Sequence, residues 1–377
     1  SMSAGASPNS KVNFSLAMKT DGKDDTYDGM TNYEVSVLRT HTACPNRDTI
    51  GRDIILHLEK GVKVRAVSSE TLISGTGRTS LTAFSITDIT HGGHPTWFLL
   101  SRNIGRMERP GKVAFPEVLG DSAQGWSSKE NAYYCQEDGI YVFSLSLYVN
   151  VRDSVFAELR VGVRIYELVR SGVFSDSGGS DVISRSVLAP CIKGDAVYVY
   201  LREGAINGGP ALTTSLAGFR YKPENSSLVY WALSNNGAFR GEDKGDRVVD
   251  YKFGRIDLRT DYLIFDGRDG AYTAVTCPQN GWYYVYITGI AMAYRRMSLT
   301  FYVEDIPQAI LYRSDPWQGR YIDYMGRSAI LKCAKGNRIS VKIFNDSKYG
   351  VGKPIQNSAN VFGTSFHGFL LYRDHRL

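Results

Sequence analysis

The chain has no run near the roughly 18 apolar residues that a membrane-crossing helix requires, and no signal-peptide pattern. It has no phosphate-cradling glycine loop, no nucleophile elbow and no Cys-x-x-Cys pair, so the sequence signals of nucleotide, acyl-transfer and thiol-redox enzymes are missing. No amphipathic helical pattern stands out, and no Lys/Arg run marks a nucleic-acid arm. Cysteine is sparse, with five in 377 residues. What is present is 43% hydrophobic and 12% aromatic material, with 24 Tyr and 38 Gly, a balance that favours strands and tight turns. The formal charge of +6 leans toward anionic partners. The opening Ser1-Met2 is not a natural start and reads as a cloning remnant.

One block occurs three times: DTIGRDIILHLEKG at residues 48–61, DVISRSVLAPCIKG at 181–194 and DYMGRSAILKCAKG at 323–336. The Asp-to-Gly offset is 13 in each (61−48, 194−181, 336−323). A second block follows each: TSLTAFSI from Thr79, TSLAGFRY from Thr214 and TSFHGFLLY from Thr364. The Lys-Gly markers are 133 and 142 residues apart (194−61, 336−194), the size of a whole small domain. A third block, Cys-x-x-x-Gly, opens at Cys135 and Cys277, and residues 7–14 read as its remnant in the first copy. The expected organisation is a partial unit at 1–90 that lacks its front, and whole units at 91–223 and 224–377.

Short apolar/polar alternations, such as residues 141–149, 14–18 and 284–290, predict half-buried strands joined by turns. Many such strands in about 130 residues predict an all-β sandwich or barrel.

Cys191−Cys135 and Cys333−Cys277 are both 56. In the first copy the matching positions are Ser7 and Leu58, so both cysteines are lost together. That predicts contact, either as a disulfide in each whole copy or as a pair of buried thiols. Disulfides imply an oxidising, extracellular compartment. Cys44 has no counterpart and is left as a free thiol or a link to another segment.

The order Cys-x-x-x-Gly-x-Tyr-x-Phe, an apolar run closing in Lys193-Gly194-Asp195, and a final Phe-x-Gly-Phe-Leu-Leu-Tyr at 366–372 resembles the globular domain of complement component 1q. Residues 113–115 fit that family's opening strands. Asn337 and Val62 depart from the Lys-Gly-Asp pattern. The resemblance spans copies two and three, and the back half of copy one. It implies tandem jelly-roll sandwiches of the tumour necrosis factor-like type and, with three copies on one chain, an intramolecular pseudo-trimer. It implies binding without chemistry, in a secreted protein. The partners it implies are a protein receptor or an anionic glycan or lipid. The alternatives are a tumour necrosis factor-like receptor ligand, or a matrix and adhesion component. A second polypeptide segment, or a neighbouring unit, is expected to cover the incomplete first domain.

The resemblance also points to calcium, through Asp48, Asp181 and Asp323, with Asp315 as a further ligand and Asp176 a looser one. The structural alternative pairs each Asp with the Arg four residues on: Arg52, Arg185 or Arg327. Asp21, Asp24, Asp25 and Asp28 read as a solvated acidic loop, and His91 and His94 as linker residues. Lys244-Gly245-Asp246 is a chance-level tripeptide. Of the acceptor patterns at Asn13, Asn225 and Asn345, Asn225 is the expected glycosylation site. Ser365 and His367 share one strand face, which reads as packing.

Overall fold

The computed structural model describes residues 2–6, 11–19, 33–41, 48–53, 55, 63–68, 80–81, 83–86, 95–150, 154–171, 180–209, 212–222, 229–235, 248–250, 255–259, 265–268, 271–292, 296–314, 322–345 and 364–374. The elements are strands throughout, paired antiparallel. The fold is all-β, built of jelly-roll sandwiches.

In the second unit the inner sheet runs Glu117–Asp121, Trp97–Ser101, Ser215–Tyr221, Gly139–Asn150, Ser180–Cys191. The outer sheet runs Trp126–Ser127, Ala132–Tyr134, Ala196–Glu203, Val155–Val161, Arg164–Ser171. Tyr141, Phe143, Leu145, Leu147 and Val149 come from one face of the central strand. They pack against Val197, Val199 and Leu201 of the facing sheet. The period of two in the sequence therefore becomes the sandwich core.

The third unit repeats the order. Its inner sheet is Arg255–Arg259, Tyr230–Asn235, Thr364–Arg373, Gly281–Met292, Ile322–Cys333. Its outer sheet is Phe265–Arg268, Ala271–Thr276, Arg338–Asn345, Arg296–Val303, Ile306–Ser314.

The pairing explains the sequence blocks. Gly194 and Gly336 close the Lys-Gly turns at φ +93° and +88°, a region that favours glycine. Their amides donate to the carbonyls of Cys135 and Cys277 at 2.8 and 2.9 Å. The amides of Lys193 and Lys335 donate to Asp138 Oδ1 and Asn280 Oδ1 at 2.7 and 2.6 Å. Tyr141 and Tyr283 each donate back to a carbonyl four residues earlier, Glu137 and Gln279. The Cys-x-x-x-Gly block and the Lys-Gly block thus form one tied corner.

The first segment contributes Met2–Ala6, Lys11–Lys19, Tyr33–His41, Asp48–Arg52, Lys63–Ser68 and Ser80–Leu81. Met2 lies opposite Arg52 and Leu81, as Leu145 lies opposite Arg185 and Leu216 and Ile287 opposite Arg327 and Phe366. Lys11–Lys19 pairs on both sides, with Tyr33–His41 and Lys63–Ser68, as Val155–Val161 pairs with Arg164–Ser171 and Ala196–Glu203. This corrects the reading of residues 7–14 as the remnant of the Cys block. Met2 takes the place of Leu145, and Cys135 lies ten positions before Leu145 (145−135), whereas Ser7 lies five after Met2 (7−2). Ser7 is therefore not the match of Cys135, and the argument from paired loss fails.

The cysteines divide. Cys277 and Cys333 form a disulfide, whereas Cys135 and Cys191 are buried thiols. The expected second disulfide is replaced by a contact in which the Cys191 thiol is hydrogen-bonded to Cys135. That bond first, and burial second, push its pKa far up. Cys44 lies outside the described residues.

Candidate functional site

The central strands of both whole units are buried on both faces. In Gly139–Asn150 the face opposite the core carries Ile140, Val142, Ser144 and Ser146. In Gly281–Met292 it carries Tyr284, Tyr286 and Thr288. These faces meet each other and a piece of the first segment, which contributes Asp53, Ile55, Phe84 and Ile86.

At one level of this junction stands Asp53. Ser186 Oγ and Tyr284 OH donate to its Oδ2 at 2.6 and 2.7 Å, and Ser328 Oγ donates to Oδ1 at 2.6 Å. Ser144 Oγ donates to its carbonyl at 3.0 Å. Asp53, Ser186 and Ser328 occupy the same place in the thrice-repeated block, five residues after its Asp (53−48, 186−181, 328−323). Ile55, Leu188 and Ile330 share the next inward position and lie in one apolar cluster.

The next level is aromatic. Phe84, Phe219 and Phe369 again hold equivalent positions, five residues after the block's Thr (84−79, 219−214, 369−364). Their rings meet edge to face, with centroids 6.1 Å apart for Phe84–Phe219, 6.5 Å for Phe84–Phe369 and 6.2 Å for Phe219–Phe369. That is the geometry the ring quadrupole favours, and each such pair adds about 0.5–1.5 kcal/mol beyond area burial. The first segment also joins the third unit by backbone: Asp48 pairs with Arg313 at the end of Ile306–Ser314.

The junction holds charge. Burial raises the pKa of partly buried Asp53, the hydrogen bonds from Ser186, Ser328 and Tyr284 act against it, and the carboxyl lies below its ordinary value. Burial drops His367 to about 3; Asp53 opposes that shift and Arg185 reinforces it. The His367 ring stacks on Tyr286 with centroids 5.0 Å apart. Arg185 and Arg327 are each 1% exposed, and burial lowers the Arg327 guanidinium to about 10. Ser365 shares a 2.7 Å hydrogen bond with Thr288.

The residues singled out from sequence fall elsewhere. Asp48, Asp181 and Asp323 take matching strand places, opposite Ala6, Val149 and Ala291, but their side chains lie outside the described set. Asp315, Asp176, Asn225, His91, His94, the acidic residues at 21–28 and the tripeptide at 244–246 also lie outside it. Among the described residues no group of three His, Cys, Asp or Glu side chains is placed to hold a metal, and no helix is long and apolar enough to cross a membrane. Asp53 was missed. Its signal was available: it is where one copy of the block carries an acid and the other two carry Ser.

No family model matches the chain, and no curated protein matches it. Among solved structures it is similar to the globular domain of zebrafish complement 1qA protein, at 18% identity, covering 34% of this chain and 99% of that one, with a TM-score of 0.28.

Proposed function

We propose that the chain is a non-enzymatic extracellular recognition protein. Three complement 1q-like units at 1–90, 91–223 and 224–377 gather about one centre and present a trimeric head to an anionic or cell-surface ligand. The observation that carries this reading is the meeting of like with like: Asp53 with Ser186 and Ser328, and Phe84 with Phe219 and Phe369. Around a threefold axis, equivalent positions face one another, whereas units strung along a rod would bring unlike surfaces together. The order of sequence motifs supports the same family. The Cys277–Cys333 disulfide supports an oxidising compartment, and the +6 charge supports an anionic partner. The strand Ile306–Ser314 meeting Asp48 supports a neighbouring unit as the cover for the first segment.

Calcium at Asp48, Asp181, Asp323 and Asp315 belongs to this proposal, and thermal melts with calcium and with chelator check it. So does glycosylation at Asn225. Arrays of glycans, phospholipids and receptor ectodomains, probed with the whole chain, test the function. Saturable binding that leaves the ligand chemically unchanged supports it. Cleaved or modified ligand, or silence across all three arrays, contradicts it.

A further inference from the structure

The outer sheet of the second unit carries a side-chain cluster on its outward face that the third unit lacks. Along Ala196–Glu203, Val197, Val199 and Leu201 enter the core, and Tyr198, Tyr200 and Arg202 take the opposite face. The neighbouring strand sets Arg160 beside Tyr198 and Glu158 beside Tyr200, and Lys112 pairs with Tyr200 from the other side. The cations lie on the rings. The Arg160 and Arg202 guanidiniums are 4.8 and 5.1 Å from the Tyr200 centroid, and Lys112 Nζ is 4.5 Å from that of Tyr198. Beneath them Glu158, its side chain 5% exposed, accepts from Arg160 Nε at 2.7 Å and from Arg202 Nε at 2.8 Å.

The sandwich does not need this cluster. In the third unit the register places Thr300 where Glu158 stands, Tyr302 where Arg160 stands, Lys342 where Tyr200 stands and Ser340 where Tyr198 stands. Among the described residues the same sheet forms there with Lys342 over Tyr302 at 4.5 Å. Burying Glu158 costs free energy that the fold alone does not demand. Its effect is to fix two guanidiniums against an aromatic surface before any ligand arrives, which lowers the ordering cost of binding. Three cations against one carboxylate leave the cluster at +2 (3−1). Planar guanidiniums match carboxylate and sulfate groups.

We propose that this face binds an acidic polysaccharide, one bearing sulfate or uronate groups. The proposal rests on the recognition reading above and names its ligand class. Tyr198, Tyr200 and Arg202 form a flat row of roughly 13 Å along the strand, suited to an extended polymer. A bilayer fits less well: Ile104, Val118, Leu119, Val163 and Ile192, the exposed large apolar side chains among the described residues of this unit, are not members of the cluster. Nucleic acid fits less well too, since the chain has no Lys/Arg run of the kind that marks a nucleic-acid arm.

The test measures binding of the whole chain to heparin at physiological salt, beside neutral dextran, phosphatidylserine vesicles and duplex DNA. The K112A/R202A variant keeps the Arg160–Glu158 pair and the core, and K342A in the third unit is the control. The expected result is binding to heparin and not to dextran. K112A/R202A should weaken that binding by at least about tenfold while keeping one cooperative melt above the assay temperature, lowered because buried Glu158 loses one of its two guanidinium partners, and K342A should leave the binding alone. Undiminished heparin binding by K112A/R202A overturns the assignment and leaves the recognition reading standing with its site elsewhere. Stronger binding to vesicles or DNA than to heparin overturns the ligand class. A chain that binds ligands on arrays yet ignores heparin also sinks this inference alone.

Discussion

Ser328 Oγ donates a 2.6 Å hydrogen bond to Asp53 Oδ1 across 275 positions of sequence. The two residues hold the same place in a repeated block, and Ser186 is the third member. A trimer of identical chains must set the same residue at all three places. Three carboxylates would repel and push one another's pKa values up, and three hydroxyls would bring no charge. A single chain escapes that constraint: one carboxylate accepts, and two serines with Tyr284 donate. The acid distinguishes the first unit from the other two, much as one polar residue at a coiled-coil seam fixes register.

Phe84 touches the rings of Phe219, Tyr284 and Phe369. Phe84→Ala removes three edge-to-face contacts and opens a void between units. It should cost stability toward the lower end of the about 3–5 kcal/mol typical of Phe→Ala in cores, because Phe84 is only partly buried. Urea unfolding reads this directly. A change under about 0.5 kcal/mol, the size seen at ordinary surface sites, contradicts the junction.

His367 stays neutral in the fold, held by burial at about 3, and titrates near its model-peptide value of 6.5 once unfolded. Between those values the unfolded chain binds more protons, so stability falls as pH drops below about 6.5, by at most ~1.4 kcal/mol per pH unit for one proton. Asp53 is shifted down, so its contribution is present above 3.8 and is lost as pH falls through its folded value. Calorimetry from pH 8 to 4 should show a melting temperature that is flat above pH 7 and then declines. His367→Gln should remove the upper part of the decline. A profile identical in the variant contradicts a neutral buried imidazole.

Non-reducing peptide mapping should recover Cys277 joined to Cys333, with Cys135 and Cys191 as thiols. With its pKa raised by Cys135 and by burial, Cys191 should resist alkylation at pH 8 until the chain unfolds. Reducing the Cys277–Cys333 disulfide, whose cysteines are 56 residues apart, should cost about 4 kcal/mol by the chain-entropy argument. A native Cys135–Cys191 bridge contradicts the division between the two units.

The strands were legible because a period of two survives in any context, whereas the identical 56-residue offsets of Cys135–Cys191 and Cys277–Cys333 could not tell a disulfide from a pair of buried thiols. The junction was not legible. Alternation in residues 141–149 says which side chains share a face, not whether the second face meets water. Ser144 is 7% exposed because its hydroxyl meets the Asp53 carbonyl of the first segment, and Ser146, 1% exposed, donates to Ser184 on the neighbouring strand. The candidate site was sought where the copies agree, at Asp48, Asp181 and Asp323. The hydrogen bonds at Asp53 lie where they differ, since an asymmetric hydrogen bond needs unlike partners at like positions. Matching residues 7–14 to the Cys block failed because strand pairing, not local similarity, sets the register of Met2–Ala6.

Asp53 and Ser186 hold equivalent places in the repeated block and touch. A double-mutant cycle on the pair is the sharpest check of that contact. Asp53→Ser strips the centre of its acceptor charge, and Ser186→Asp sets a second carboxylate against the first. The combined variant restores one acid and two hydroxyls. Chemical unfolding should show both single variants destabilised, and the pair more stable than their sum predicts by at least about 1 kcal/mol. Strict additivity within about 0.5 kcal/mol would mean the two side chains do not meet.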